Sequence, residues 1–475
     1  MNFPWKWFVD IGIISIALLI STFIRVRIRF FQRFLIPNSL TAGFILLFFY
    51  NFGAPYVGMS TDGLGAMVYH LLSISFIAMT LRRSPEKKDQ QHSGILPTSV
   101  AIVFQYGMQA TIGLLLTLFF MKTFIPDLFP AMGFFVPLGF GLGPGQSYAI
   151  GEGWAAFGFE DGGTIGLTFA AIGFLFACFG GVWLLNYGIR KHWISEEKRT
   201  VIQNRSIRTG VYASDTAKPE GMKLTTESEA IDSLTYTASI VFLVYLLTYL
   251  LLKLLTYLLA FAGPLGEELA VNLWGISFVF AALTAMVVKR FIQLFGIQHT
   301  FDNKALTRVA GFSVDLMVAA AIGAISLVVV MKYWIPILVM SAIAGAMIIL
   351  TAPWFCSRIF RDHRFDRMII IYGAVTGTMP TGLALLRVLD PDFETPVASD
   401  YMFSSAITFA VVIPFILSIN LPAYSYTTGN PLYFWLALAV SVSYTIFGLI
   451  AFRMISRSRA FKSPGSHFLL HEDDD

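Results

Sequence analysis

Long apolar runs separated by short charged loops leave this chain few ways to fold. A helix needs roughly 20 apolar residues to cross about 30 Å of hydrocarbon. Runs 8–24 and 234–252 meet that length. In lipid every backbone polar group must be satisfied internally, so only helices or closed barrels can span. The ten-residue alternation of a barrel strand is absent. Apolar residues make up 56% of the chain and charged residues 13%, against roughly 25% charged in soluble domains. The 475 residues therefore do not read as two or three soluble domains. The expected fold class is an all-α polytopic membrane protein.

Thirteen apolar segments fall near 7–24, 36–52, 63–81, 98–121, 131–150, 163–187, 235–259, 270–288, 309–331, 334–352, 367–386, 401–420 and 432–452. Basic residues concentrate in loops 25–33, 82–88, 189–208, 289–308, 356–367 and 453–462, while 53–62 and 421–431 hold no Lys or Arg. Basic loops stay inside. With those loops on one side, thirteen full crossings do not fit. Segments 131–150 and 367–386 must enter and return. Both are interrupted, the first by Pro137, Gly139, Gly141, Gly143, Pro144 and Gly145, the second by Gly373, Gly377, Pro380 and Gly382. Irregular backbone at membrane depth is tolerated where protein or a cavity surrounds it. The count becomes eleven crossings and two re-entrant elements, with the N-terminus out and the C-terminus in. Lys6 is the sole basic residue before the first run, and Arg25, Arg27, Arg29 and Arg33 follow it. That order predicts an uncleaved first helix in a cytoplasmic (inner) membrane.

Each half then holds five crossings and one re-entrant element. Five is odd, so the halves are expected to be inverted copies. Adding 234 to first-half positions superimposes the segments without a gap. Gly139, Gly143 and Ser147 fall on Gly373, Gly377 and Thr381. Asn38 and Phe44 fall on Asn272 and Phe278, and Phe159–Glu160 on Phe393–Glu394. The reading divides the chain into a first repeat (1–187), a cytoplasmic linker (188–232), a second repeat (233–420), and an extra helix with its tail (421–475).

Paired broken helices in inverted repeats mark the binding site of a transporter. Positive helix N-termini hold anions and exposed carbonyls hold Na⁺. Gly143, Gly145, Gln146 and Ser147 in the first break, and Gly377, Thr378 and Thr381 in the second, are the expected substrate contacts. Small-residue helix packing and hydroxyl-to-carbonyl bonding are the competing structural roles. Arg387 is the cation for a carboxylate, since guanidinium binds it bidentately; a salt bridge to Asp390 is its structural alternative. Tyr148, Thr376 and Asp315 are the expected ion-site residues. Asp315 lies one turn into its segment, where capping Arg308 or Lys304 is the alternative. Glu160 and Glu394 read as caps, and His70 as packing.

Other chemistry finds no support. Cys178 and Cys356 are too few for a disulfide framework or metal cage and read as buried apolar residues. The Gly-x-Gly-x-Gly run at 139–143 lacks the βαβ surroundings of a nucleotide site. No nucleophile elbow or metal-ligand spacing is present. A net charge of +4 reflects topology rather than nucleic-acid affinity. The chain reads as a non-enzyme with no cofactor and no nucleic-acid partner.

Residues 143–147, followed by Gly158-Phe-Glu-Asp-Gly-Gly-Thr-Ile-Gly166 and the apolar span to Gly181, resemble the sodium/glutamate symporter family. The element at 373–382 falls where that family has its second re-entrant element. The resemblance covers roughly residues 1–420. It implies Na⁺ as the coupling ion and import of glutamate or a related carboxylate. It further implies an elevator-type movement of a transport domain carrying both re-entrant elements, against a scaffold that is often dimeric. Charges at 387–394, the long linker and the extra helix depart from that pattern. Proton-coupled transport of another organic anion, through Glu152 or Asp315, is the alternative; a channel is a further one.

Overall fold

The computed structural model describes residues 5–83, 93–191, 193, 209–212, 221–227, 229–261, 263, 270, 273–390, 395–463 and 465–469. Glu394, Asn272 and most of the linker lie outside them.

The described chain is helical. Its α-helices are α1 Lys6–Arg27, α2 Arg29–Arg33, α3 Asn38–Phe48, α4 Asp62–Leu81, α5 Ile95–Thr123 and α6 Pro144–Gly153. There follow α7 Gly162–Leu175, α8 Gly181–Arg190, α9 Ser233–Ala260, α10 Ser277–Leu294, α11 Asn303–Gly323 and α12 Leu327–Lys332. The chain ends with α13 Trp334–Ile359, α14 Arg364–Thr376, α15 Met379–Leu386, α16 Val397–Ser418, α17 Leu421–Thr428 and α18 Leu432–Ser456. Among the described residues, 11 helical stretches are long and apolar enough to cross a membrane. They coincide with the expected crossings, and neither broken run is among them. Large apolar side chains such as Phe242, Leu246, Leu250 and Tyr257 on α9 are exposed, as a lipid-facing helix requires and a water-facing one would not tolerate.

Some local expectations are corrected. Segment 309–331 begins earlier and is split. The Asp302 carboxylate caps α11 by accepting from the Ala305 N–H at 3.1 Å, which carries the helix back over the polar residues 303–308. Asp315 therefore sits in mid-helix rather than one turn in. Residues 421–428, expected as loop, form α17. The basic stretch 356–367 is largely interior. Arg358, Arg364 and Arg367 are all buried because α13 and α14 continue through it.

Two cores organise the molecule. One joins α5, the first broken element, α13, α14, α16 and α18, through Val103, Phe135, Ile348, Ile370, Phe415 and Phe434. The other joins α1, α3, α4, α10 and α11 through Ile14, Leu46, Val68, Phe278 and Ala320. It is extended onto α9 by Ile77, Val241 and Leu306. Both bodies thus draw elements from both halves of the chain. α7 lies on the seam: Phe169 belongs to the first core, while Leu167, Ala171 and Phe174 belong to the second.

Candidate functional site

The two breaks stand 234 residues apart and meet inside the first body. In the first, a π-helical turn Pro137–Leu142 ends at Gly143, which has φ 98°. That left-handed value favours glycine. Pro144 then starts α6, where its missing N–H costs nothing. In the second, α14 ends at Thr376 and α15 starts at Met379, leaving Gly377 and Thr378 non-helical. α15 folds back on α14. A Cβ placed on Gly373 would lie 2.8 Å from Gly382 Cα, whereas nine residues of unbroken helix would separate them by about 13 Å.

Glycine at 143 serves a second need. A Cβ there would sit 2.7 Å from Thr378 Cγ2 and 3.8 Å from both the Gly377 carbonyl oxygen and Gln146 Oε1. The two breaks are therefore in van der Waals contact. Four helix ends converge, and the N-termini of α6 and α15 are among them. Their first N–H groups have no intrahelical acceptor and carry partial positive charge. Thr378 and Thr381 hydroxyls lie 3.2 Å apart. α7 closes the opposite side with Gly173, Phe174 and Ala177, just before and within its π-turn Phe176–Gly180. Tyr372 donates to the Phe176 carbonyl at 2.9 Å, fixing α14 to that turn.

The expected site residues separate into groups. Gly143, Gln146, Gly377, Thr378 and Thr381 are brought together. Gly145 faces away, against α4, where a Cβ would lie 2.9 Å from Leu72 Cβ. The fully buried Ser147 hydroxyl donates to the Gly166 carbonyl at 3.0 Å and ties α6 to α7. Thr376 is likewise committed, donating to the Tyr372 carbonyl at 2.6 Å. Tyr148 lies between Gly65 of α4 and Gly163 of α7. Arg387 is exposed at the C-cap of α15, roughly 13 Å along the helix from Thr378. Asp315 belongs to the second body, on α11, whose neighbours Leu316 and Met317 pack into its core. Asp390 accepts from the Thr395 N–H at 3.0 Å and from its hydroxyl at 2.5 Å. Asp161 pairs with Lys332 at 2.8 Å. His70 bonds Tyr245 across α4 and α9 at 2.5 Å. Both cysteines are buried. Among the described residues no three His, Cys, Asp or Glu side chains gather as metal ligands.

Two features escape a reading of motifs. α5 carries Gln105, Tyr106 and Gln109 within an apolar span. Tyr106 donates to the Gly141 carbonyl at 3.1 Å and Gln109 Nε2 to the Val375 carbonyl at 3.1 Å, so one helix grips both broken elements. Gln109 Oε1 is buried with no hydrogen-bond partner among the described residues. Buried amides are costly to leave unpaired, and two glutamines in hydrocarbon are the signal that would have found this. The second feature is an interior ion pair. Arg367 and Asp400 are 1% and 0% exposed and lie 2.8 Å apart; Asp362 takes the other guanidinium nitrogen at 3.0 Å. The charge pattern of an inside loop concealed it.

The chain matches no family model, no curated protein and no solved structure.

Proposed function

We propose that this polytopic membrane protein is a secondary active transporter that couples Na⁺ to uptake of glutamate or a related carboxylate. One observation carries the reading. Two breaks related by 234 residues meet at Gly143 and Thr378 inside a helical body. Discontinuous helices meeting this way give a transporter its anion and cation contacts at one depth. The N-termini of α6 and α15 supply donors for a carboxylate. The Gly377 carbonyl, the Thr378 and Thr381 hydroxyls and Gln109 Oε1 supply oxygens for Na⁺. The body holding the breaks is the moving part of an elevator, and the body of α1, α3, α4, α9, α10 and α11 is its scaffold. The two halves of the chain are inverted copies, and each contributes elements to both bodies.

The test is thermal stability of the purified protein in detergent, with Na⁺ or choline, across a panel of amino and dicarboxylic acids. A ligand that binds the folded state raises the midpoint by mass action. A rise that needs both Na⁺ and an acid, and that Thr378→Ala weakens, is the expected result. No Na⁺-dependent rise with any acid would sink the reading. Uptake driven by a pH gradient in Na⁺-free buffer, and lost in Asp315→Asn, would replace Na⁺ by protons.

A further inference from the structure

A cavity of about 740 Å³ opens between the two bodies, where α1 gives way to α2 and α8 approaches its end. Its size falls within the roughly 300–1,000 Å³ of ligand sites. Its lining is divided by chemistry. Arg29 and Arg33, one turn apart on α2, stand on one side. Phe34, Leu185, Ile189 and Val388 are among its apolar walls, and Gln32 and Asn186 are its neutral polar members. Among the described residues no acidic side chain lines it. Phe34 packs in turn on Phe179 of the π-turn Phe176–Gly180, with ring centres 4.9 Å apart.

Depth identifies the occupant. The flanking spans end at Arg27 and Arg190, so the two arginines lie at the level of the lipid headgroups. Leu185 lies more than one turn inside that level, in hydrocarbon. A small hydrophilic anion would pair with the arginines but leave the apolar walls without a partner. A molecule with an anionic head and an apolar tail satisfies both surfaces. Basic pockets between transmembrane helices take such headgroups. We propose that this cavity is a binding site for an anionic phospholipid. Its phosphate lies on Arg29 and Arg33, and its acyl chains run along Phe34, Leu185, Ile189 and Val388. The lipid touches both bodies at once. This inference does not depend on which solute or ion the protein carries.

Native mass spectrometry of the full-length protein tests it, with dioleoyl phosphatidylglycerol and dioleoyl phosphatidylcholine added in equal amount. Phosphatidylglycerol adducts should be retained at least tenfold more strongly than phosphatidylcholine. The double variant Arg29→Gln/Arg33→Gln should lose that preference. Leu185→Trp keeps both arginines and fills the cavity, so it should lose the adduct as well. Equal retention of the two lipids overturns the proposal, as does an undiminished preference in either variant. Glycerol phosphate displacing the lipid completely at similar concentration would also overturn it, because the chains would then contribute nothing.

Discussion

At the scale of single residues, the position that decides most is Gly143. Two independent constraints act on it. Its backbone, at φ 98° and ψ 178°, costs an L-residue roughly 1–3 kcal/mol, and any Cβ would crowd Thr378 Cγ2. Gly143→Ala is expected to lower the unfolding midpoint and to weaken ligand-dependent stabilisation. Thr378→Ser removes the crowding methyl while keeping the hydroxyl. Gly143→Ala/Thr378→Ser should recover the steric part of the loss and leave the part due to φ. A double-mutant cycle on the midpoints reads that coupling; strict additivity would show that the two breaks do not touch. The same residue scale explains why symmetric positions differ in use. Gly139 lets its turn approach Phe169 and Ala170 of α7, while its counterpart Gly373 lets α14 approach α15.

At the scale of elements, α18 and the tail beyond it fall outside the 234-residue register. α18 packs on α5: Gly448 meets Phe104, and Thr445 bonds Thr111 at 3.2 Å. The tail then folds back. Lys462, Ser463 and Ser466 present carbonyls to the fully buried Arg358 guanidinium at 3.3, 2.8 and 3.0 Å. Phe468 stacks on Trp193 with centres 4.5 Å apart. Ending the chain at Phe461 would strip three acceptors from a buried cation, and an unsatisfied buried group costs about 1–3 kcal/mol or more when charged. The truncated protein should unfold several degrees earlier, and adding Arg358→Met should recover part of that loss because the uncompensated charge is gone. No recovery would mean that the tail acts through its aromatic contacts.

The tail also carries a pH dependence. Burial, and secondarily the nearby Arg358 cation, hold His467 below its ordinary value. The docked tail therefore favours the neutral ring. An undocked histidine takes up its proton near about pH 6.5, so docking is at full strength above that value. It weakens as the pH falls through the lower, docked value. Proteolysis of the tail should be faster at pH 5 than at pH 8, and His467→Phe should flatten the difference. Equal rates in the unaltered protein would refute the assignment.

At the scale of the whole molecule, the proposed transport function puts the motion at the seam between the two bodies. α4 of the second body touches α6 at Leu72 and Gly145, and Cβ atoms there would be 2.9 Å apart. Disulfides prefer about 3.5–4.5 Å, so Leu72→Cys/Gly145→Cys needs only a small shift to oxidise, in a background lacking Cys178 and Cys356. The cross-linked protein should lose uptake into liposomes and regain it on reduction. Uptake that persists while cross-linked would rule out sliding along this seam.

Much of the architecture was legible in the chain itself, because lipid imposes a length on every span and a charge bias on every loop. The eleven crossings, the two interrupted runs and the 234-residue spacing of Gly143 and Gly377 follow from apolar length, Gly and Pro placement, and Lys/Arg position. Tertiary structure decided which polar groups remain for a ligand. Ser147 and Thr376 look alike in sequence, and packing aims their hydroxyl protons at the Gly166 and Tyr372 carbonyls. Gln109 looks like nothing in particular, yet it reaches the broken helix from another span. Arg364 and Arg367 look like loop charges but are interior. The reason is physical. Span length and topology are set locally, by each segment's own transfer into lipid. A polar atom's partner is set by whichever distant backbone packs against it, and no local property of the sequence records that.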